Sequence, residues 1–492
     1  MEKMHNFFHE NIEGRLPSFG EAVLLMVIVS AVLVIFNIFL GISSIAALFL
    51  AMLICCAFAA FWGNSWSIIE KMIMNGLKKG LIAMIINLQI GMLIASWCAS
   101  GTVPYIVSLG LKIISPQWFL VTTCLVCCIM SVSTGSSWTT AGTVGIAMYG
   151  VGTVMGIPAG LAASAVLAGS YFGDKLSPIS ESTNLASAAA ETPIMEHVHS
   201  MLFVVIPATI VTLIIYAVMG LKYRNAIMDT SNIDIIINGL ADRFWLNPIF
   251  LIPIIIMGFL IIKKAPAILT MSVAIFMGIA LALTQGVNVS EMGDALANGF
   301  NAGTGIEVVD TMLSKGGLNA MRNTVYILIF GLPLGGILQG THTMETIVFK
   351  FKGLVANRVS VITGSLITVM VMSAICGDTY AAYIITTAGF GSAHDRLQLD
   401  RKVLSRTLEM GVILSCLIPW TSGGTFMSTL FGISPLEYAP FYYWGYLIFI
   451  FNTLCAITGF GIFYTKNRRG WGKNKEIPPT LEDYNPLETH VE

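Results

Sequence analysis

The feature that most constrains this chain is a long stretch that is almost free of charge. Between Leu81 and Phe172, Lys112 is the only Asp, Glu, Lys or Arg residue. A helix that crosses a bilayer needs about 20 predominantly apolar residues, so this stretch contains several crossings. The whole chain is similar, since 55% of its 492 residues are apolar and 11% are charged, whereas a soluble domain has roughly 25% charged residues. We therefore predict an all-α integral membrane protein.

The same composition excludes several classes of protein. The net charge is −1 and the basic residues are scattered, so the clustered positive surface of a nucleic-acid-binding protein is missing and no nucleic acid is expected as a partner. All cysteines fall in apolar segments, which argues against disulfides. The sequence has no HExxH, GxSxG or phosphate-cradling loop, so we predict neither an enzyme nor a cofactor.

Apolar segments of nearly membrane-spanning length predict about 10–13 transmembrane helices. Two regions are interrupted by Gly, Ser and Thr, at Gly135–Gly156 and at Gly377–Gly391. Interrupted segments predict broken helices or re-entrant hairpins, which a bilayer tolerates only where protein or a water-filled cavity surrounds the backbone.

The two interrupted regions belong to an internal repeat. Met130–Ser131 and Gly135 recur as Met372–Ser373 and Gly377 at an offset of 242 residues, and further weak matches lie at offsets of 239–242. Several weak matches at one nearly constant offset indicate a duplicated unit. The predicted organisation is an N-terminal segment, a first repeat, a polar linker, a second repeat and a C-terminal tail, at residues 1–19, 20–221, 222–246, 247–465 and 466–492.

The charges of equivalent loops predict that the repeats are inverted in the membrane. Lys71, Lys78 and Lys79 follow the second helix of the first repeat, whereas the equivalent loop of the second repeat carries Glu291 and Asp294. Because Lys and Arg favour cytoplasmic loops, these two loops face opposite sides. Basic residues after the last helix place the C-terminus in the cytoplasm, and the inversion places the N-terminus there too. Many secondary transporters share this architecture, with the substrate at broken helices near the midplane.

The candidate ion-binding residues lie in four polar segments at the interruptions. Charges at membrane depth are costly and usually are paired or line an ion path, and the oxygens of Ser, Thr and Asn suit a hard cation such as sodium. The candidates are Asp174, Ser177, Glu181, Thr183, Asn184, Ser136, Ser137, Thr139, Asp378, Thr379, Thr421, Ser422 and Gly423. The predicted sodium ligands among them are Asp174, Asn184, Asp378 and Thr421.

Simpler interpretations of these segments stay open. Gly173–Ala186 can be a surface loop in which Asp174 and Lys175 are solvated, and Ser133–Thr143 can serve close packing between helices. A lone carboxylate at membrane depth can instead bind a proton and a sodium ion in competition, and Asp174 and Asp378 are the candidates for that exchange.

Three further ionisable residues, Glu191, His197 and His199, flank the helix that begins near Met201. Histidines at a helix end are compatible with a place at the membrane interface or with proton transfer. Of the two, the sequence favours the interface.

The segments TGSSWTTAGTVGIAM and SYFGDKLSPISESTNLA resemble the NhaC family of sodium/proton antiporters, and the resemblance extends over about residues 20–465. It implies an inverted-repeat ion transporter that exchanges sodium for protons, although some relatives exchange organic acids such as malate and lactate. It also implies that the tips at Ser182–Asn184 and Thr421–Gly423 surround the ion. The residue after SPIS is usually Asp in the family and is Glu181 here, which leaves ion selectivity open.

We therefore predict a multi-pass transporter of the cytoplasmic membrane, with the lipid bilayer, Na⁺ and H⁺ as its partners. The alternative is a sodium- or proton-coupled exchanger of small carboxylates, for which Lys175 is the obvious buried positive group. A channel is disfavoured by the inverted halves, which suit alternating access. A homodimer is an open option for the assembly.

Overall fold

The structure is a computed structural model that describes residues 14–465 except 114, 179, 224–229, 264, 307–308, 311–312, 315, 351–356 and 378. The predicted C-terminal tail, most of the N-terminal segment and part of the linker lie outside these residues. The candidate Asp378 also lies outside them. The division of the chain into two inverted repeats stays a prediction.

Helices dominate the described part of the chain. In the first half they are α1 (Phe19–Val34), α2 (Ser44–Phe61), α3 (Trp66–Ala99), α4 (Thr102–Ile113), α5 (Phe119–Thr134), α6 (Ser137–Thr140), α7 (Ile146–Val154), α8 (Ala159–Leu176), α9 (Glu181–Ala189) and α10 (Ile194–Gly220). A π-helical turn at Ala141–Gly145 joins α6 to α7.

The second half is built in the same way. Its helices are α11 (Thr230–Arg243), α12 (Ile252–Ile262), α13 (Ala267–Thr284), α14 (Val289–Asn298), α15 (Leu318–Gly340), α16 (Thr343–Lys350), α17 (Arg358–Cys376), α18 (Thr379–Arg396), α19 (Arg401–Val412), α20 (Ser422–Phe431), α21 (Pro435–Tyr438) and α22 (Tyr443–Thr458). Leu399 and Tyr464 form an isolated antiparallel β-bridge.

Several of these helices are long and apolar enough to cross a bilayer. Among the described residues there are 6 such helices, or up to 9 if each of three bent helix pairs counts as one span. Two shorter apolar helices, Pro116–Val132 and Ile268–Thr284, add to them. The predicted all-α multi-pass membrane architecture with broken helices is therefore confirmed.

The helices break where the polar segments predicted breaks. Gly135 ends α5 with a left-handed φ of 65°, and Gly377 ends α17 with a φ of 66°. Glycine adopts this conformation without the steric cost that a Cβ would add. Ser136 then caps α6 by accepting a hydrogen bond from the Thr139 amide. A short polar helix therefore starts at the break.

Glycines also bring α5 against α8. A Cβ added at Gly169 would overlap Cys124 and Cys127, and one added at Gly173 would overlap the backbone of Ser131 and Val132. Small residues four apart let two helices approach closely in a membrane. This approach brings the C-terminal end of α8 beside the break between α5 and α6, where the candidate ion-binding residues lie.

Candidate functional site

A cavity of about 190 Å³ lies where all four predicted polar segments meet. A space of this size holds several water molecules, each of which takes about 30 Å³ in the liquid. Its polar lining comes from α6, from the end of α8, from the start of α9, and from the starts of α18 and α20. The candidate residues that line it are Ser136, Ser137, Thr139, Asp174, Glu181, Thr379, Ser422 and Gly423.

Asp174 is the buried carboxylate of the cavity wall, with a side chain that is 9% exposed. Ser180 donates a hydrogen bond to Asp174 Oδ1 over 2.7 Å, and Ser137 donates to Oδ2 over 3.2 Å. Ser180 also caps α9, because its oxygen accepts from the Thr183 amide. The broken helices on both sides of the cavity therefore hold one carboxylate.

Lys175 joins Asp174 to a second buried carboxylate. Its Nζ lies 3.3 Å from Asp174 Oδ2 and 3.0 Å from Glu409 Oε1. Ser182 donates to the same Glu409 oxygen over 2.7 Å. The Glu409 side chain is 0% exposed and that of Lys175 is 3% exposed. Two carboxylates of α8 and α19 thus share one ammonium group in a region of low dielectric constant.

His197 continues the cluster on the far side of Glu409. Its Nε2 lies 2.8 Å from Glu409 Oε2, and its Nδ1 lies 2.5 Å from the Ser405 hydroxyl. Its side chain is 0% exposed, a burial that the sequence did not predict. The reason is tertiary: α10 packs against α19 and turns this face of the helix inward.

Other predicted site residues lie near the cavity but not on its wall. Ser177 donates to the Val132 carbonyl, and Thr183 is within hydrogen-bonding distance of Glu409. The Asn184 amide donates to Pro178 and Ser180 carbonyls, and the Thr421 hydroxyl caps α20. Their roles in ion binding stay predictions.

Sequence reasoning missed Glu409. It lies inside an apolar segment of the sequence, residues 408–420, and a charge within such a segment is the signal that could have found it. Arg406, one turn earlier, is also 0% exposed. It donates to Asn452 and to the Ser200 and Gly461 carbonyls, so it ties α19 to its neighbours rather than pairing with Glu409.

A second cavity, of about 450 Å³, shares α3 and α20 with the first. Along α20 the first cavity reaches Ser422 and Gly423 and the second reaches Thr429 and Leu430. Phe426 lies midway and stacks on Trp138 of α6, with ring centroids 4.6 Å apart and planes at 9°. This pair of rings lies between the two cavities.

Comparison with known proteins gives the family. A model of the Na⁺/H⁺ antiporter family matches residues 169–460. The chain is 34% identical to the malate-2H⁺/Na⁺-lactate antiporter of Bacillus subtilis, over 92% of this chain and 97% of that protein. It is 32% identical to the Na⁺/H⁺ antiporter NhaC of Alkalihalophilus pseudofirmus, over 90% and 96% of the two chains. It is also 34% identical to the arginine/ornithine antiporter ArcD of Halobacterium salinarum, over 91% and 93%.

These matches cover nearly the whole length of the relatives, and the family match includes α9, α10, α19 and most of the cavity lining. They confirm the resemblance carried by the TGSSWTTAGTVGIAM and SYFGDKLSPISESTNLA segments. The chain belongs to the Na⁺/H⁺ antiporter family.

Proposed function

We propose that the protein exchanges Na⁺ for H⁺ across the cytoplasmic membrane by alternating access, at a cluster that holds one added cation at a time. The charge of the cluster supports this most directly. Asp174 and Glu409 carry two negative charges and Lys175 carries one positive charge, so with His197 neutral the buried cluster has a net charge of −1. One proton or one sodium ion neutralises it.

Competition follows from the cost of burying charge. A cluster that held a proton and a sodium ion together would carry an unpaired positive charge away from water, which costs several kcal/mol. A cluster that held neither would carry an unpaired negative charge. The two ions therefore replace each other, which is the requirement for exchange.

The sodium ion would bind on the cavity side of the cluster. Asp174 supplies a carboxylate oxygen there, and Ser137 and Thr139 supply hydroxyl oxygens, which are the hard ligands that sodium prefers. As sodium approaches Asp174 it repels the Lys175 ammonium, which retains Glu409 as its partner at 3.0 Å. Asp378, Thr379, Thr421 and Asn184 remain proposed contributors from the surrounding segments.

Transport by purified protein in proteoliposomes tests this function. A sodium gradient should drive proton movement, measured with a pH-sensitive dye inside the vesicles. Asp174→Asn and Glu409→Gln should each remove this movement, because each brings the net charge of the cluster to zero. Glu70→Gln is the matched control, since Glu70 is an exposed carboxylate on α3. Full exchange in both cluster variants would contradict the proposal.

An exchanger of small carboxylates is the second candidate, and the size of the cavity favours it. A dehydrated sodium ion needs far less than 190 Å³, and one relative is named for malate and lactate. A carboxylate substrate would need Lys175 to release Asp174. Vesicles that are silent to sodium alone but respond when malate or lactate is added would establish this candidate in place of the first.

We further propose that the two repeats are inverted, with both chain termini in the cytoplasm. The opposite charges of the segments Lys71–Lys79, in α3, and Glu291–Asp294, in α14, support this arrangement. Single cysteines introduced at exposed positions in these two segments should react with a membrane-impermeant reagent from opposite sides of the membrane. Labelling of both from the same side would contradict the inversion.

A further inference from the structure

The buried cluster has two distinct sides. Asp174, Lys175 and Ser182 line the cavity, whereas Glu409 and His197 are absent from its lining and are 0% exposed. Glu409 uses one oxygen for Lys175 and Ser182 and the other for His197. Its second oxygen therefore faces away from the place proposed for sodium.

A chain of hydrogen bonds leads from that oxygen toward the end of two helices. His197 lies in the first turn of α10 and Ser405 in the second turn of α19, and the two side chains are hydrogen-bonded. Both helices begin beside an ion pair in which Lys402 Nζ lies 2.6 Å from Glu196 Oε2, with side chains that are 14% and 54% exposed. Ser405 is three residues from Lys402, which is less than one turn and about 4.5 Å along the helix.

The ionisable groups around His197 come from α8, α10 and α19. Glu409 is the carboxylate in direct contact, and Arg406 of α19 is bonded to the Ser200 carbonyl instead. The remaining ionisable residues near the start of α10 and α19, and on the adjacent α8, are Glu191, Glu196, His199, Asp400, Arg401, Lys402, Asp174 and Lys175. Lys175 is linked to His197 through Glu409, which lies between them.

We propose that protons reach the cluster through Ser405 and His197, while sodium reaches it through the cavity. This route depends on the proposed Na⁺/H⁺ exchange. In the resting state His197 Nε2–H donates to Glu409 and Nδ1 accepts from Ser405. A proton from a hydronium ion in the adjoining water adds to Nδ1 by way of the Ser405 hydroxyl, and the Nε2 proton passes to Glu409 Oε2. The ring ends neutral in its other tautomer and Glu409 ends protonated, so the charge of one proton has moved across the ring.

A separate proton route makes a prediction that a purely structural histidine does not. Exchange of sodium for sodium across the membrane needs the cavity and Asp174 but no proton. His197→Gln should therefore lower Na⁺/H⁺ exchange by roughly tenfold or more. Exchange of radioactive sodium for unlabelled sodium in the same vesicles should stay within about twofold of the wild type, because Gln retains a donor to Glu409.

His199→Gln is the matched control, because His199 is exposed on the same helix two residues away and contacts Phe203 and Phe463 instead. Both kinds of exchange should be unchanged in it. Ser405→Ala leaves the contact between His197 and Glu409 intact. Like His197→Gln, it should lower Na⁺/H⁺ exchange and retain sodium-for-sodium exchange. Ser405→Ala therefore still tests the proton route if His197→Gln folds poorly.

Three results would overturn the route. Full Na⁺/H⁺ exchange in His197→Gln and Ser405→Ala would show that protons enter elsewhere. Equal loss of both kinds of exchange in folded variants would place His197 in the sodium site or in the scaffold. The absence of sodium-driven proton movement in the wild-type protein would refute the proposed Na⁺/H⁺ exchange itself. That experiment needs no variant.

Discussion

At the scale of residues, Lys175 decides how many cations the cluster accepts. It lies between two carboxylates that would repel each other in its absence, at 3.3 Å from one and 3.0 Å from the other. Removal of one member of a buried charge group leaves the others uncompensated, so the effect of a substitution depends on the charge that remains. Single and double substitutions can therefore have opposite effects.

We expect Lys175→Gln to lower sodium-for-sodium exchange by about tenfold or more, because the cluster then carries a net charge of −2 that one sodium ion does not neutralise. The double variant Lys175→Gln/Glu409→Gln returns the net charge to −1 and should recover part of this exchange. Uptake of radioactive sodium into sodium-loaded vesicles measures both. A double variant that is as inactive as the single one, although correctly inserted, would contradict the charge argument.

At the scale of elements, close packing of α5 on α8 places Ser137 beside Asp174. Gly169 and Gly173 permit this approach because a Cβ at either position would overlap the backbone of α5. The Ser137–Asp174 hydrogen bond at 3.2 Å joins the helix that follows α5 to the end of α8. The geometry of the cavity wall thus depends on two glycines that do not touch the cavity.

Gly173→Val should separate α5 from α8 and reduce both folded yield and transport, since overpacking a helix contact costs about 1–3 kcal/mol or more. Gly258→Ala is the control in another apolar helix, because a Cβ there would have no neighbour within 4 Å. Thermal unfolding in detergent, followed by size-exclusion chromatography, measures the difference. Equal melting temperatures for the two variants would contradict the packing argument.

The sequence predicted the broken helices better than it predicted the partners of the buried charges. Gly135 and Gly377 marked the breaks because left-handed turns select glycine, which is a local property. Asp174 and Ser137 were identified from local polarity in the same way. Glu409 was missed and His197 was given no partner, because their contact joins residues more than 200 positions apart in the chain. No local pattern records which faces of α10 and α19 meet.

At the scale of the whole molecule, the two cavities divide the interior into two spaces that share helices. The first holds Asp174 and the second is lined by residues of α14, α15 and the segment between them, including Asn298 and Ser314. The stacked rings of Trp138 and Phe426 lie between the two spaces. A barrier of one stacked pair is thin compared with the bilayer, whose hydrocarbon core is about 30 Å thick.

Phe426→Ala should join the cavities and let sodium leak without proton movement. We expect efflux of radioactive sodium into sodium-free buffer to rise several-fold, while the pH inside the vesicles changes little. Phe431→Ala is the matched control, since Phe431 lies on the same helix and packs on Tyr149 away from the first cavity. A leak that is equal in the two variants, or absent from both, would contradict a barrier at Phe426.

The parallel faces of Trp138 and Phe426 have a consequence for motion. Their helices belong to different halves of the chain, and the rings meet flat, at 9°. Flat aromatic faces can change their offset while they stay in contact, whereas interdigitated aliphatic side chains must first come apart. The contact between α6 and α20 can therefore shift sideways without unpacking either helix.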